Sequence, residues 1–130
     1  MPIVHIRSLA LPNTVNMSEL IEQLALAFAK QANIQLEHIS IDWSFTPAGH
    51  YFVDKKIQHQ QEVHQPPIMV ELLIPDIHNE KRQQQLLNVL AEVIHQHSHI
   101  ALDNIFISLH IAKSGSIFDN GKVVIWPQKG

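Results

Sequence analysis

Two hydrophobic periods alternate along the chain, one of about 2 residues and one of about 3.6. The opening segment Pro2–Leu9 has the shorter period and predicts a strand. A helix over 17–32 is predicted next, because Asn16 can cap it and Glu19 follows three residues later. Its apolar face consists of Leu20, Ile21, Leu24, Phe28 and Ala32. A second strand is predicted from the alternating apolar residues Ile39, Ile41, Trp43 and Phe45.

The second half of the chain repeats this order. The helix positions Leu20, Leu24 and Phe28 match Leu86, Leu90 and Ile94 at an offset of 66, and the turn Gly49–Phe52 matches Gly115–Phe118 at the same offset. Pro2-Ile3 matches Pro67-Ile68 at an offset of 65, so this alignment needs one inserted residue. We interpret the pattern as an internal duplication. It predicts a single domain, 1–130, made of two repeats (2–53 and 67–124) joined by a polar connection, 54–66.

Each repeat reads as a right-handed strand–helix–strand unit. Two such units side by side predict an α+β fold, in which a four-stranded sheet carries both helices on one face. No predicted element of the same chain packs on the other face of the sheet, and yet the apolar residues Met69, Leu73 and Phe106 lie on that face. Exposed apolar patches of this kind are rare on monomers, so we expect self-association around a symmetry axis.

Composition narrows the functional classes. The 130 residues include no cysteine, which excludes a disulfide framework, Cys-ligated metals and thiol catalysis and is compatible with a cytoplasmic location. The net charge is −3 without a basic run, so we expect no nucleic-acid partner. No apolar run is long enough to span a bilayer and the start shows no signal peptide, so we expect no membrane association.

These features resemble the tautomerase superfamily, whose members open a strand with a processed N-terminal proline and are built from units of about 60 residues. The layout is most similar to 5-carboxymethyl-2-hydroxymuconate isomerase, through the helix-opening run Arg82-Gln83-Gln84, and to macrophage migration inhibitory factor. Gly49-His50 and the aromatic residues after it look like the Gly-His-Phe turn of 4-oxalocrotonate tautomerase. The resemblance implies a homotrimer whose sheets enclose a barrel, with the prolines in pockets near subunit boundaries.

The resemblance implies a catalytic role for Pro2. Removal of Met1 exposes its secondary amine, and an apolar pocket would lower the pKa of that amine by disfavouring the ammonium. Val4, Ile6 and Phe52 are candidate walls. An unprotonated amine can act as general base in keto–enol tautomerisation of a small acid, and this chemistry needs no metal and no organic cofactor.

The sequence departs from the family in its substrate-binding residues. Members that act on dicarboxylates carry an arginine on the second strand of the unit and another in the loop before the helix. Here the strand positions are Ser40 and Phe106, and the loop offers Ile77 or His78. The remaining candidates for contact with substrate are Lys113, Arg82, His50, Tyr51, Phe52 and Ser40.

Two other functions stay open. Without the arginines, a protein of this fold could serve as a non-catalytic binding or assembly protein. Alternatively, Pro2 could assist hydration or dehalogenation of an unsaturated acid, but that requires a carboxylate opposite the proline, and the sequence places neither Asp42 nor Asp119 there. A metal site at His95 and His99 with Glu92 is disfavoured, since histidines near a helix C-terminus interact favourably with its dipole. We therefore predict no metal.

Overall fold

The computed structural model describes residues 2–127 and shows one four-stranded sheet, two helices and two small hairpins. The helices are α1 (Met17–Ala32) and α2 (Glu80–Ser98). The strands are β1 (Ile3–Ser8), β2 (Ser40–Phe45), β3 (Tyr51–Val53), β4 (Lys56–Gln58), β5 (Ile68–Pro75), β6 (Ile105–Ala112), β7 (Ile117–Asp119) and β8 (Lys122–Val124). The predicted α+β architecture is confirmed.

Side-chain caps fix both helices. The Asn16 side chain accepts a hydrogen bond from the Glu19 amide at 3.1 Å, so α1 begins and ends where the sequence predicts. Asn79 caps α2 in the same way. Helix α2 ends one residue before His99, which adopts a left-handed conformation at φ 65°. His99 is therefore a C-cap and not part of a helical His face.

The core lies between the two helices and one face of the sheet. The two central strands, β1 and β5, alternate, so that their inward side chains are buried and most of their outward ones are not. The fully buried side chains include Val4, Ile6, Leu24, Phe28, Ile68, Leu72, Leu86, Leu90 and Ile94. Val4 and Ile6 are thus part of the core beneath the helices.

The direction of the strands sets which residues meet. In the order β2-β1-β5-β6, the outer pairs β1–β2 and β5–β6 are parallel, whereas the central pair β1–β5 is antiparallel. The first residues of β1 and β2 therefore lie at the same end of the strands as the last residues of β5 and β6. We call this end of the sheet the Pro2 end. The opposite end, where β5 begins, we call the Pro67 end.

Corresponding elements of the two halves are related by a constant offset of 66 residues. The pairing of Ile3 with Ser40 recurs as Met69 with Phe106. Pro2 therefore corresponds in position to Ile68, and the predicted match of Pro2 with Pro67 is wrong by one residue. The hairpin β3–β4 corresponds to β7–β8, so part of the predicted connection 54–66 is strand β4.

Among residues 2–127, no helix or hairpin covers the other face of the sheet. Across its middle a polar row runs from Asp42 through His5 and Glu71 to Ser108, one residue from each strand, and His5 is hydrogen-bonded to Asp42. Phe106 is exposed on the same face, as the sequence predicts. Within residues 2–127, neither helix combines the length and apolar character needed to cross a membrane.

Candidate active site

Pro2 is buried at the Pro2 end of the sheet. Its carbonyl accepts a hydrogen bond from the Ser40 amide at 3.0 Å, which continues the parallel pairing of β1 with β2. A groove of about 320 Å³ is lined by Ser40 and by the neighbouring Ile3, whereas Pro2 itself is not among its lining residues. We call it the Pro2 groove. Burial of this kind is the environment in which an amine loses its preference for the charged form.

The Pro2 groove is part apolar and part acidic. Its apolar lining residues are Ile3, Ile39, Ile117 and Phe118, and its polar ones are Glu37, His38, Ser40 and Asp119. Neither lysine nor arginine is among these lining residues. The described part of this chain therefore lines the groove with no cation that could hold a substrate carboxylate.

Six lining residues escaped the sequence prediction of the site: Ile3, Glu37, His38, Ile39, Ile117 and Phe118. Asp119 was considered there only as the carboxylate for hydration or dehalogenation. Glu37 and His38 belong to a short 3₁₀ turn before β2. Ile117, Phe118 and Asp119 form strand β7. A signal for them existed, because Phe118 is the counterpart of Phe52 at the offset of 66. Because the central strands β1 and β5 are antiparallel, the hairpin of each repeat lies near the start of the first strand of the other repeat.

The predicted contacts His50, Tyr51 and Phe52 lie at the Pro67 end. The Tyr51 hydroxyl donates a hydrogen bond to the Pro67 carbonyl at 2.8 Å. Burial raises the pKa of Tyr51, against an opposing effect of Arg7, so the phenol stays protonated and able to donate. His50 is exposed, and Phe52 is 67% exposed. Because β1 is about 20 Å long, these three residues are far from Pro2 within one chain.

Arg82 and Lys113 lie at the Pro2 end but outside the groove lining. Arg82 donates from Nη2 to the Ala32 carbonyl at 2.5 Å and from Nη1 to Gln85 at 2.9 Å, and so ties the start of α2 to the end of α1. Lys113 directly follows β6 and is exposed. Arg82 is therefore engaged in helix packing, whereas the Lys113 side chain is exposed to solvent.

The two candidate carboxylates separate in the structure. Asp42 lies on the open face of the sheet, hydrogen-bonded to His5. Asp119 lies on β7 and lines the Pro2 groove. Of these two carboxylates, only Asp119 therefore lines the Pro2 groove.

The predicted histidine pair is separated by the end of α2. His95 contacts the Ile100 carbonyl through Nδ1 at 2.6 Å, while His99 lies beyond the helix. In the described chain, no three His, Cys, Asp or Glu side chains are grouped closely enough to hold a metal ion.

Comparison with known proteins gives a consistent result at the level of structure. No family model matches the sequence, and no curated protein does either. Among solved structures, Pt0534 inactivated by 2-oxo-3-pentynoate has a TM-score of 0.76 at 15% identity, covering 94% of both chains. A fused 4-OT, solved as an asymmetric trimer, has a TM-score of 0.76 at 13% identity, covering 93% of this chain and 94% of that one.

A third similar structure is N1, a member of the cis-3-chloroacrylic acid dehalogenase family. Its TM-score is 0.72 at 11% identity, covering 94% of this chain and 82% of that one. The alignments span nearly the whole chain, whereas the identities are low. The chain thus has the tautomerase fold, as the sequence resemblance predicts.

The position of Arg82 predicts a structural role. We expect Arg82→Ala to lower the free energy of unfolding by about 1–3 kcal/mol, because two charge-assisted hydrogen bonds are lost and the Ala32 carbonyl loses its partner. Lys81→Ala, which changes the exposed basic neighbour, should alter it by less than about 0.5 kcal/mol. Urea unfolding monitored by circular dichroism measures both. Equal stability of the two variants would contradict this role.

Proposed function

We propose that the protein is a cofactor-independent tautomerase in which the amine of Pro2, exposed by removal of Met1, is the general base. The observation that carries the proposal is the position of Pro2 in a tautomerase fold, buried next to two residues, Ile3 and Ser40, that line an open groove. The buried setting favours the neutral amine, which can take a proton from an enol hydroxyl and return it to carbon.

The lining of the groove supports a particular kind of substrate. Phe118, Ile117 and Ile39 offer an apolar surface for an aryl group, whereas Glu37 and Asp119 disfavour a second substrate carboxylate. A keto–enol acid with one carboxylate and one aromatic ring, such as phenylenolpyruvate, therefore fits better than a dicarboxylate such as 2-hydroxymuconate.

We also propose that the working form is a homotrimer, as in the fused 4-OT structures. Both hairpins expose an aromatic residue, Phe118 at the Pro2 end and Phe52 at the Pro67 end, at 71% and 67% exposure. If the Pro2 end of each subunit meets the Pro67 end of the next subunit around a threefold rotation axis, the three subunits form a closed ring. In such a ring the partner subunit's hairpin β3–β4 would bring His50, Tyr51 and Phe52 to the Pro2 groove, where the sequence predicts them.

Replacement of Pro2 tests the proposal. We expect Pro2→Ala to lower kcat/KM for phenylenolpyruvate ketonisation by at least about 100-fold, because the buried secondary amine is lost. Pro67→Ala is the matched control and should keep the wild-type rate. The decay of enol absorbance gives the rate, and intact mass confirms that Met1 is absent. Wild-type turnover of 2-hydroxymuconate should be slower.

An unchanged rate in Pro2→Ala, with both variants folded by circular dichroism, would show that Pro2 is not the base. A wild-type chain that lacks Met1 and yet leaves both enols untouched would instead favour the non-catalytic binding or assembly function.

Asp119 favours a second candidate function, hydration or dehalogenation of an unsaturated acid. As a water oxygen adds to C3 of a 3-haloacrylate, the Asp119 carboxylate can take the proton of that water, and halide leaves from C3 as the double bond re-forms. In hydration, the proton is instead returned to C2. The fold likeness to N1 of the cis-3-chloroacrylic acid dehalogenase family is compatible with it.

For this second candidate we expect halide release from a 3-haloacrylate by the wild-type protein and its loss in Asp119→Asn. Phenylenolpyruvate turnover should persist in that variant, since the tautomerisation uses Pro2. An ion-selective electrode follows the halide. If the wild-type protein releases none, the second candidate is wrong.

A further inference from the structure

A second groove adjoins the Pro2 groove. Its volume is about 210 Å³, and it is lined by Pro75, Ile77, Asp119, Val124 and Trp126. Asp119 also lines the Pro2 groove, so the two grooves meet at this residue. We call the second groove the Trp126 groove, after its largest lining side chain.

Two hydrogen bonds hold Trp126 in place as a wall of this groove. Its indole Nε1 donates to Oδ1 of Asp76 at 2.6 Å, and its backbone amide donates to Oγ of Ser114 at 2.8 Å. Asp76 directly follows β5, and its own amide donates at 3.0 Å to the carbonyl of Ala112, the last residue of β6. The indole is therefore tied to the ends of two sheet strands, although Trp126 itself lies beyond β8.

The side chains that line the Trp126 groove are apolar with one exception. Pro75, Ile77, Val124 and Trp126 have apolar side chains, and the indole N–H of Trp126 is already bound to Asp76. Asp119, the exception, is exposed and lies where the two grooves meet, so its carboxylate can stay in water. The groove therefore suits an apolar group, because a polar group would lose its water without gaining a hydrogen bond.

The size of the Trp126 groove indicates that it holds part of a ligand. Pockets that take a whole small molecule measure roughly 300–1,000 Å³, and the Trp126 groove is smaller than that. The Pro2 groove, at about 320 Å³, is at the lower end of this range. A ligand larger than phenylenolpyruvate can therefore begin in the Pro2 groove, pass Asp119 and end against Trp126.

We propose that the Trp126 groove binds a second, distal aromatic ring of a substrate whose enol acid lies in the Pro2 groove. The substrate class is then an aryl-substituted phenylenolpyruvate. A flat aromatic ring packs well on an indole, and its burial beside Ile77 and Val124 removes apolar surface from water. The inference rests on the proposed function of Pro2 for the acid end of the substrate, whereas the binding of the distal ring can be measured without turnover.

Two saturated acids test the binding of the ring. 3-Phenylpropanoate and 3-(4-biphenylyl)propanoate lack the enol, so neither can tautomerise. The chain has two tryptophans, and the indole N–H signals of Trp126 and Trp43 are followed by NMR of the ¹⁵N-labelled protein. We expect the biphenyl acid to shift the Trp126 signal saturably and to bind at least about tenfold more tightly than the phenyl acid, because its second ring is buried. The phenyl acid should leave the Trp126 signal in place, and Trp43, whose indole donates to Ser8, should respond to neither acid.

Two neighbouring residues of β8 give a matched pair of variants. Val124 lines the groove, whereas Val123 faces the opposite side of the hairpin and is 52% exposed. Val124→Asn should abolish the tighter binding of the biphenyl acid, since it places an amide against the ring. Val123→Asn makes the same change outside the groove and should preserve the tighter binding. Both variants should bind the phenyl acid like the wild type.

Turnover connects the distal ring with the proposed reaction. The wild-type protein should convert the 4-phenyl derivative of phenylenolpyruvate with a kcat/KM at least about tenfold above that for phenylenolpyruvate, and Val124→Asn should bring the two values together. If the biphenyl acid binds as expected while neither enol is converted, the proposed function of Pro2 is wrong and the groove still binds the ring.

The inference is wrong if the two acids bind equally, if the Trp126 signal does not move, or if the two variants behave alike. It is also wrong if the Trp126 signal moves while the backbone amides of Ile3 and Ser40 in the Pro2 groove do not, because the ligand then occupies one groove alone. Analytical ultracentrifugation tests a second copy of this chain as the occupant. An oligomer that dissociates in Val124→Asn and persists in Val123→Asn would show that the groove is a subunit interface, which would overturn the inference.

Discussion

The antiparallel pairing of β1 with β5 is the constraint on which the rest of the structure depends. Val4 and Ile6 lie beside Leu72 and Val70 at the centre of the sheet, and all four are buried beneath the helices. A shift by one residue would turn these side chains to the open face, so burial fixes the register. The direction of this pair then brings the second hairpin to Pro2 and the first hairpin to Pro67.

The same pairing gives the sheet two similar ends with different contents. At one end, Pro2 directly precedes β1, next to a groove with apolar walls and two carboxylates. At the other, the connection between the halves occupies the corresponding place, and buried amides hold its Pro66 carbonyl. The two ends thus share one architecture but differ in their side chains: the proposed catalytic amine lies at one end, and the connection between the halves lies at the other.

The sequence predicts the local elements well and the site only in part. The cap at Asn16 and the helical face define α1 to the residue, because these signals are local. The contacts of Phe52 and Phe118 depend on strand direction, which the hydrophobic pattern does not contain. The pattern therefore identified the turn of each repeat but not the end of the sheet at which that turn lies. Arg82 was misleading for another reason, since its partner Ala32 is distant in sequence.

The central claim is that burial makes the Pro2 amine a base at neutral pH. The most direct measurement is the pH titration of the Pro2 nitrogen by ¹⁵N NMR in protein that lacks Met1, alongside a short peptide with the same Pro-Ile-Val start. The account predicts a titration midpoint well below that of the peptide, because the sheet edge disfavours the ammonium. A midpoint equal to that of the peptide would contradict it.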